Sequence, residues 1–237
     1  MIAVFVNMAT VLVGSLLGIL LRNRLKPSLQ EAIMKALGLC TLLIAISTAI
    51  TTQALLCVIL CMVIGTAIGE WLHIDDGIEH AGDFIRDKVL KGKAGESRFT
   101  EGFVSACILF CIGSMTIVGS LEAGINHNYS IIFAKSTMDF VSSMAFGAAM
   151  GFGVTCSILF ILIFQGGLTL LSGLLAPVLS TATVTEMSAV GGVILMGMAI
   201  NMLGLGKERI RVANMLPAIF LPIAYFPLVS LLQGMFS

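Results

Sequence analysis

Long apolar runs broken by short polar interruptions constrain this chain more than any other feature. Stretches of roughly 15 to 25 apolar residues recur from end to end, and at about 1.5 Å of rise per residue each crosses about 30 Å of hydrocarbon as a helix. In lipid a spanning segment has to satisfy its backbone N–H and C=O groups internally, so such runs fold as α-helices. The composition agrees, because 58% of the 237 residues are hydrophobic and 11% are charged, and the mean hydropathy is +1.06. A soluble globule does not have this balance. The expected fold class is all-α, a polytopic membrane protein forming one transmembrane domain over residues 1–237.

Helices are expected near 1–21, 36–51, 54–73, 101–120, 131–150, 153–176, 185–205 and 212–233, about eight spans. The first run has no basic residue before it and carries Arg22 and Arg24 after it, which reads as a retained span and not as a cleaved signal. With eight crossings, segments 22–35, 74–101 and 206–211 lie on one side and hold 12 of the 13 Lys and Arg residues. The excess of basic residues makes that side cytoplasmic and predicts both termini outside. Formal net charge is zero, so there is no electrostatic footprint for nucleic acid; the lipid bilayer is the first partner.

Polar and small residues organise the rest. All six cysteines fall inside apolar runs and read as small buried side chains, not as a disulfide framework. The pairs Cys57/Cys61 and Cys107/Cys111 sit at opposite depths of a hairpin, which separates them too far for one metal site. Gly14/Gly18, Gly65/Gly69 and Gly147/Gly151 are each four apart, a spacing that lets helix backbones approach closely within the bundle or, alternatively, across a homo-oligomer seam. Residues 74–100 form the one long polar segment. Ile74, Ile78, Ile85 and Val89 recur at near-helical spacing, predicting a cytoplasmic amphipathic helix over 75–90 anchored by Trp71, with a flexible loop at 91–98. Gly113 and Gly119 before Lys135 echo Gly191 and Gly197 before Arg211, which suggests an inverted repeat of helices 3–5 and 6–8.

Ionisable groups in hydrocarbon are costly unless paired or wetted, so each is a candidate functional group. Lys135 and Asp139 lie four apart in the fifth span and share a face, with Ser142 and Ser143 continuing the stripe. A structural ion pair that orients a helix and a site for a coupling ion or substrate are both consistent with this pattern. Gln165, Gly166 and Gly167 predict a broken sixth span with Gln165 at the break. Asn201 and Asn214 are expected to add neutral hydrogen bonds in the same cavity, Thr116, Asn7 and Thr10 are weaker candidates, and Pro217 kinks the last span together with Pro222 and Pro227. Glu122 and Glu186 are expected to be wetted at an outer vestibule, and Glu70 at a span end. There is no Ser-His-Asp grouping, His-Glu-x-x-His motif or phosphate-binding loop, so no catalytic residue, cofactor or metal site is predicted.

These motifs also carry a resemblance. Asn7 through Gly14 to Gly18, Ile64-Gly-Thr-Ala-Ile-Gly69-Glu70, Gly113-Ser-Met-Thr-Ile-Val-Gly119 with Glu122 and Gly124, Lys135-Ser136 with Asp139, Gln165-Gly-Gly167, and Arg211 to Pro217 together resemble a bacterial integral-membrane family catalogued as domain of unknown function 554. The resemblance covers essentially the whole chain and implies a bacterial cytoplasmic (inner) membrane protein of a kind described as membrane or transport proteins. It brings no catalytic residues and no substrate with it. The residues and the resemblance together lead to one expectation: a secondary, ion-coupled transporter of a small solute or ion, not an enzyme. Asp139 would be the ion-binding group and Lys135 its partner, assisted by Gln165, Asn201, Asn214, Thr116 and Ser142. The alternatives are a membrane scaffold or sensor acting through residues 75–98, and a passive channel.

Overall fold

The computed structural model describes residues 1–22, 26–80, 84, 99–111 and 113–236, and the regular elements among them are all helical. In chain order these are α1 (Ile2–Arg22), α2 (Pro27–Ala49) and α3 (Leu55–Trp71), then the short α4 (Ile74–His80). They continue with α5 (Phe99–Cys111), α6 (Ser114–Ile125), α7 (Ser130–Met150), α8 (Phe152–Cys156), α9 (Ile158–Leu170), α10 (Ser172–Leu175) and α11 (Thr181–Leu203). A 3-10 segment, Val212–Phe220, leads into α12 (Pro222–Phe236).

Five stretches are long and apolar enough to cross a membrane: Ile2–Arg22, Ser28–Ala49, Phe152–Leu170, Thr181–Leu203 and Val212–Val229. Two bent pairs raise this to seven if each is one span, α3 with α4 at 54° and α5 with α6 at 60°. The expected eight spans thus correspond to five to seven by length and apolarity among the described residues. The 21-residue α7 is diluted by Lys135, Ser136, Asp139, Ser142 and Ser143, yet it packs along α1 more extensively than any other two elements pack together. Large apolar side chains are exposed down one flank of α1 (Phe5, Val13, Leu20) and of α3 (Leu56, Ile59, Val63). In a membrane these flanks meet acyl chains, which removes the cost such exposure has in water.

Small residues set the helix pairings. A β-carbon on Gly14 would overlap Ser143 and the Phe140 carbonyl, and one on Gly18 would overlap the backbone at Met144 and Ala148. Residue numbers rise together along this contact, so α1 and α7 run parallel. Gly38 faces Met202 and Leu203 whereas Gly192 faces Ala45 and Ala49, so α2 and α11 are antiparallel. Gly65 meets Ala218 and Gly69 meets Asn214, so α3 runs antiparallel to the 3-10 segment. These directions gather Arg22, Lys26, Lys207, Arg209 and Arg211 at one end of the bundle, hereafter the basic end. The α11 helix, packed against α2, the 3-10 segment, α3, α5 and α6, forms the centre.

Several expectations change. The second helix begins at Pro27, nine residues before the expected 36, because proline suits the first turn, where its missing N–H has no partner to lose. The fourth span divides into α5 and α6 at Gly113, whose φ of 135° favours glycine. Gly151, with φ 82°, ends α7 instead of extending a Gly147/Gly151 packing stripe. The expected break at Gly166–Gly167 is absent: α9 runs unbroken from Ile158 to Leu170, and the Leu171 N–H still bonds the Gly167 carbonyl at 2.9 Å. A helical glycine costs about 1 kcal/mol, less than an unsatisfied backbone group in hydrocarbon, so the helix persists. The α5–α6 bend has no counterpart in α11, which continues through Gly191 and Gly197, so the expected repeat is not visible in its own key elements. Cys40 is exposed and Cys156 half-buried, unlike the other four cysteines. Of the expected amphipathic helix, Ile74–His80 is helical, and 81–83 and 85–98 lie outside the described residues.

Candidate functional site

Asp139 is the tenth of the 21 residues of α7, and Lys135 stands one turn earlier on the same face. The two form a direct ion pair, Nζ to Oδ2, and their side chains are only 7% and 10% exposed. Burial here requires that the charges compensate each other, because either alone would be uncompensated at membrane depth. Lys135 also stands over the Phe110 ring, 6.0 Å from its centroid, at the last turn of α5. Cys111, next along, is close enough to feel both charges.

The helix break lies directly beside the pair. The α5 helix ends at Cys111, Gly113 turns the chain, and α6 starts at Ser114. Thr116 bridges the gap, its Oγ1 donating to the Phe110 carbonyl at 3.2 Å while its N–H bonds Gly113 at 3.1 Å. The C-terminal end of α5, with its carbonyl dipoles, therefore points at the region of the Lys135 cation, which is the favourable orientation.

Two amides complete the cluster. Asn7 of α1 donates from Nδ2 to Gln165 Oε1 of α9 at 3.0 Å, and both residues are essentially inaccessible. The Asn7 side chain also stands close to the Asp139 carboxylate. Asn7 Oδ1 and Gln165 Nε2 find no hydrogen-bond partner among the described residues. Nor does Ser120 Oγ on α6, one turn before Gly124, which contacts Thr169 of α9 and Ser172 of α10. As α6 and α9 run parallel, this register sets Ser120 level with Gln165. Unsatisfied buried polar atoms are rare, and two of the four among the described residues, Asn7 Oδ1 and Gln165 Nε2, belong to this one contact.

Cavities approach the break from opposite ends. One of about 360 Å³ is lined along α6 by Ser114, Val118, Glu122 and Ile125, and across from it by Thr181 and Thr185. The other, about 370 Å³ and almost wholly apolar, extends from Ile78 at the basic end to Cys111, between α5, α9 and the 3-10 segment.

The structure thus brings Lys135, Asp139, Gln165, Thr116 and Asn7 together. Of the other candidates, it sends Asn201 and Asn214 elsewhere. Ser142 is half-buried, and it is Ser143 that meets α1 at Gly14. Asn201 ties down the loop after α11, donating to the Ile210 carbonyl at 2.8 Å and accepting from its N–H at 2.9 Å. Asn214 lies at the basic end, where its Oδ1 accepts from the Asp75 N–H at 2.6 Å and its Nδ2 donates to Glu70. The two asparagines do not share the Asp139 layer because the loop 204–211 places both near the bundle end. Pro217 sits inside the 3-10 segment, where it supplies no N–H to an α-helical ladder. Gly166 and Gly167 lie within continuous helix beside Gln165.

A second polar cluster surrounds Asn214. Arg209 pairs with Glu79 at 2.7 Å and stands 3.9 Å from Asp75, and Arg211 reaches Asp76 at 3.6 Å and Glu70 at 3.8 Å. Burial raises the Asp75 pKa above its ordinary 3.8, the arginines opposing the shift. Glu186 departs furthest from expectation. It is 1% exposed, not wetted, and accepts from Thr52 Oγ1 at 2.6 Å and from the N–H groups of Gln53 at 2.7 Å and Ala54 at 3.1 Å. It caps the start of α3 from α11, and the unpaired donors before an apolar run were the signal for it in the sequence.

The sequence profile of a family described as "Protein of unknown function (DUF554)" matches residues 2–226, and the chain belongs to that family. It is 28% identical over 138 residues to "Uncharacterized membrane protein YdfK" of Bacillus subtilis (strain 168), covering 58% of this chain and 59% of that protein. It is 29% identical over 159 residues to "Uncharacterized protein YqgA" of Escherichia coli (strain K12), covering 66% of this chain and 67% of that one. No solved structure matches it. Family and apolar helices together make this a membrane protein.

Proposed function

We propose that this member of the DUF554 family is a secondary transporter of a small solute, working at the Lys135–Asp139 layer. The observation that carries the reading is a buried charge pair at mid-helix depth adjoining a broken helix, with cavities reaching that break from both ends of the bundle. A discontinuous helix beside ionisable groups supplies both a binding layer and a hinge. In this reading α7 also crosses, which brings the seven to eight, and its polar face lines the translocation path. The basic end faces the cytoplasm and both termini face out. The membrane is the bacterial inner membrane, and the protein moves its solute without catalysing a reaction. The wide polar-rimmed cavity at Glu122 is the outer access, and the ion pairs around Asn214 close the inner end.

The test is transport by the purified protein in liposomes, read as charge movement and as lumenal pH under imposed proton and sodium gradients. A saturable signal that disappears in Asp139→Asn, with the variant still inserted and monodisperse, is expected. Full transport by Asp139→Asn would remove this layer from the mechanism.

A further inference from the structure

Resting on that reading, we infer that the Lys135–Asp139 layer takes a small zwitterion of the α-amino acid class. The argument is one of charge and of unpaired atoms. The resident pair is neutral and buried, with the side chains 7% and 10% exposed. A ligand with net charge of either sign would leave one uncompensated charge in the layer once bound. A ligand carrying one cation and one anion leaves the total unchanged and can still exchange partners with both residues. Its carboxylate takes the Lys135 ammonium and its ammonium faces Asp139, so the intrahelical pair opens without leaving either member alone.

The unpaired atoms match the same ligand. Asn7 Oδ1 accepts and Gln165 Nε2 donates, and neither has a partner among the described residues although both side chains are buried. An ammonium has an N–H for the first and a carboxylate has an oxygen for the second. Which way round the two amides are placed does not matter, because a single amide–amide bond always leaves one donor group and one acceptor. A bare monovalent cation would use Asp139 and Asn7 Oδ1 but leave Lys135 opposed and Gln165 Nε2 unpaired. A monocarboxylate fails in the mirror-image way.

The experiment is equilibrium binding to the full-length protein in lipid nanodiscs, by calorimetry and by shift in unfolding temperature. The probes are each of the twenty common L-amino acids, propionate, ethylamine and sodium chloride, with choline chloride as background. At least one amino acid is expected to bind saturably, with propionate and ethylamine at least tenfold weaker. Its affinity should fall at least tenfold in Asn7→Leu and in Gln165→Leu. The unmodified protein decides the matter whether or not those variants fold. Equal binding of propionate or ethylamine, or binding of sodium alone, overturns the zwitterion while leaving the layer a transport site. Binding of no probe overturns the zwitterion too, and the liposome assay on the same preparation then decides separately whether transport stands.

Discussion

Asn7 on α1 and Gln165 on α9, separated by 158 positions, share one amide hydrogen bond of 3.0 Å and each keeps one polar atom unpaired. That bond ties the first helix to the ninth across the face of α7 that carries Lys135 and Asp139. Buried polar atoms left half-satisfied in this way are uncommon in a folded protein.

The charge pair separates structural from functional roles by comparing single and double replacements. Lys135→Met leaves the Asp139 carboxylate buried without a partner and is expected to destabilise the protein by about 3–5 kcal/mol. The double variant Lys135→Met/Asp139→Leu removes both charges and should recover most of that loss while remaining inactive in transport. Unfolding in detergent micelles followed by circular dichroism measures the first effect, and liposome uptake the second. Recovery of uptake in the double variant would assign the pair to orientation of α7 alone.

Two glycines should behave oppositely. Gly167 is helical with open space around it, so Gly167→Ala is expected to be neutral or to stabilise by up to about 1 kcal/mol through helix propensity. At Gly69 a β-carbon would overlap the Asn214 backbone, so Gly69→Ala forces α3 away from the 3-10 segment at a cost of about 1–3 kcal/mol. Thermal midpoints of the two variants check the contrast.

Removing the charge of Glu186 weakens three hydrogen bonds at the start of α3 together. Glu186→Gln keeps the shape but places an amide N–H₂ against a donor, and should cost about 1.5–3 kcal/mol. Hydrogen exchange at the Gln53 and Ala54 amides should accelerate in the variant while amides near Asn201 stay as they were.

The basic end should respond to pH through Asp75. Burial raises its folded-state pKa above the ordinary 3.8, so between those two values the folded protein binds more protons than the unfolded one. Its contribution to stability is therefore greatest at pH below 3.8 and declines as pH rises through the raised folded value. Asp75→Asn should flatten this part of the stability profile. An unchanged profile, measured by unfolding across pH 3 to about 7, would show that the arginines cancel the effect of burial.

Much of the fold was legible in the sequence because lipid permits so few solutions: apolar runs of spanning length fold as helices, and clustered basic residues share an end. The Lys135–Asp139 pair was legible too, since a four-residue spacing fixes a shared helix face whatever surrounds it. The position of the helix break was not. Gly166–Gly167 and Gly113 look equally permissive as sequence, but α9 keeps its ladder through two glycines while the chain turns at Gly113 with φ 135° beside Lys135. Glu186 was misplaced because its ligands, Thr52 to Ala54, lie more than 130 positions away.

By itself, then, the sequence determined the solvent, the helical class and the pairing of Lys135 with Asp139, since these follow from local composition, from helix periodicity and from the cost of bare polar groups in hydrocarbon. Only the tertiary structure decided which polar residues meet. It gathered Asn7, Gln165 and Thr116 around Asp139 and sent Asn201 and Asn214 to the basic end. Helix pairing through small residues fixes direction and depth between segments far apart in the chain, and no periodicity within one segment encodes that choice.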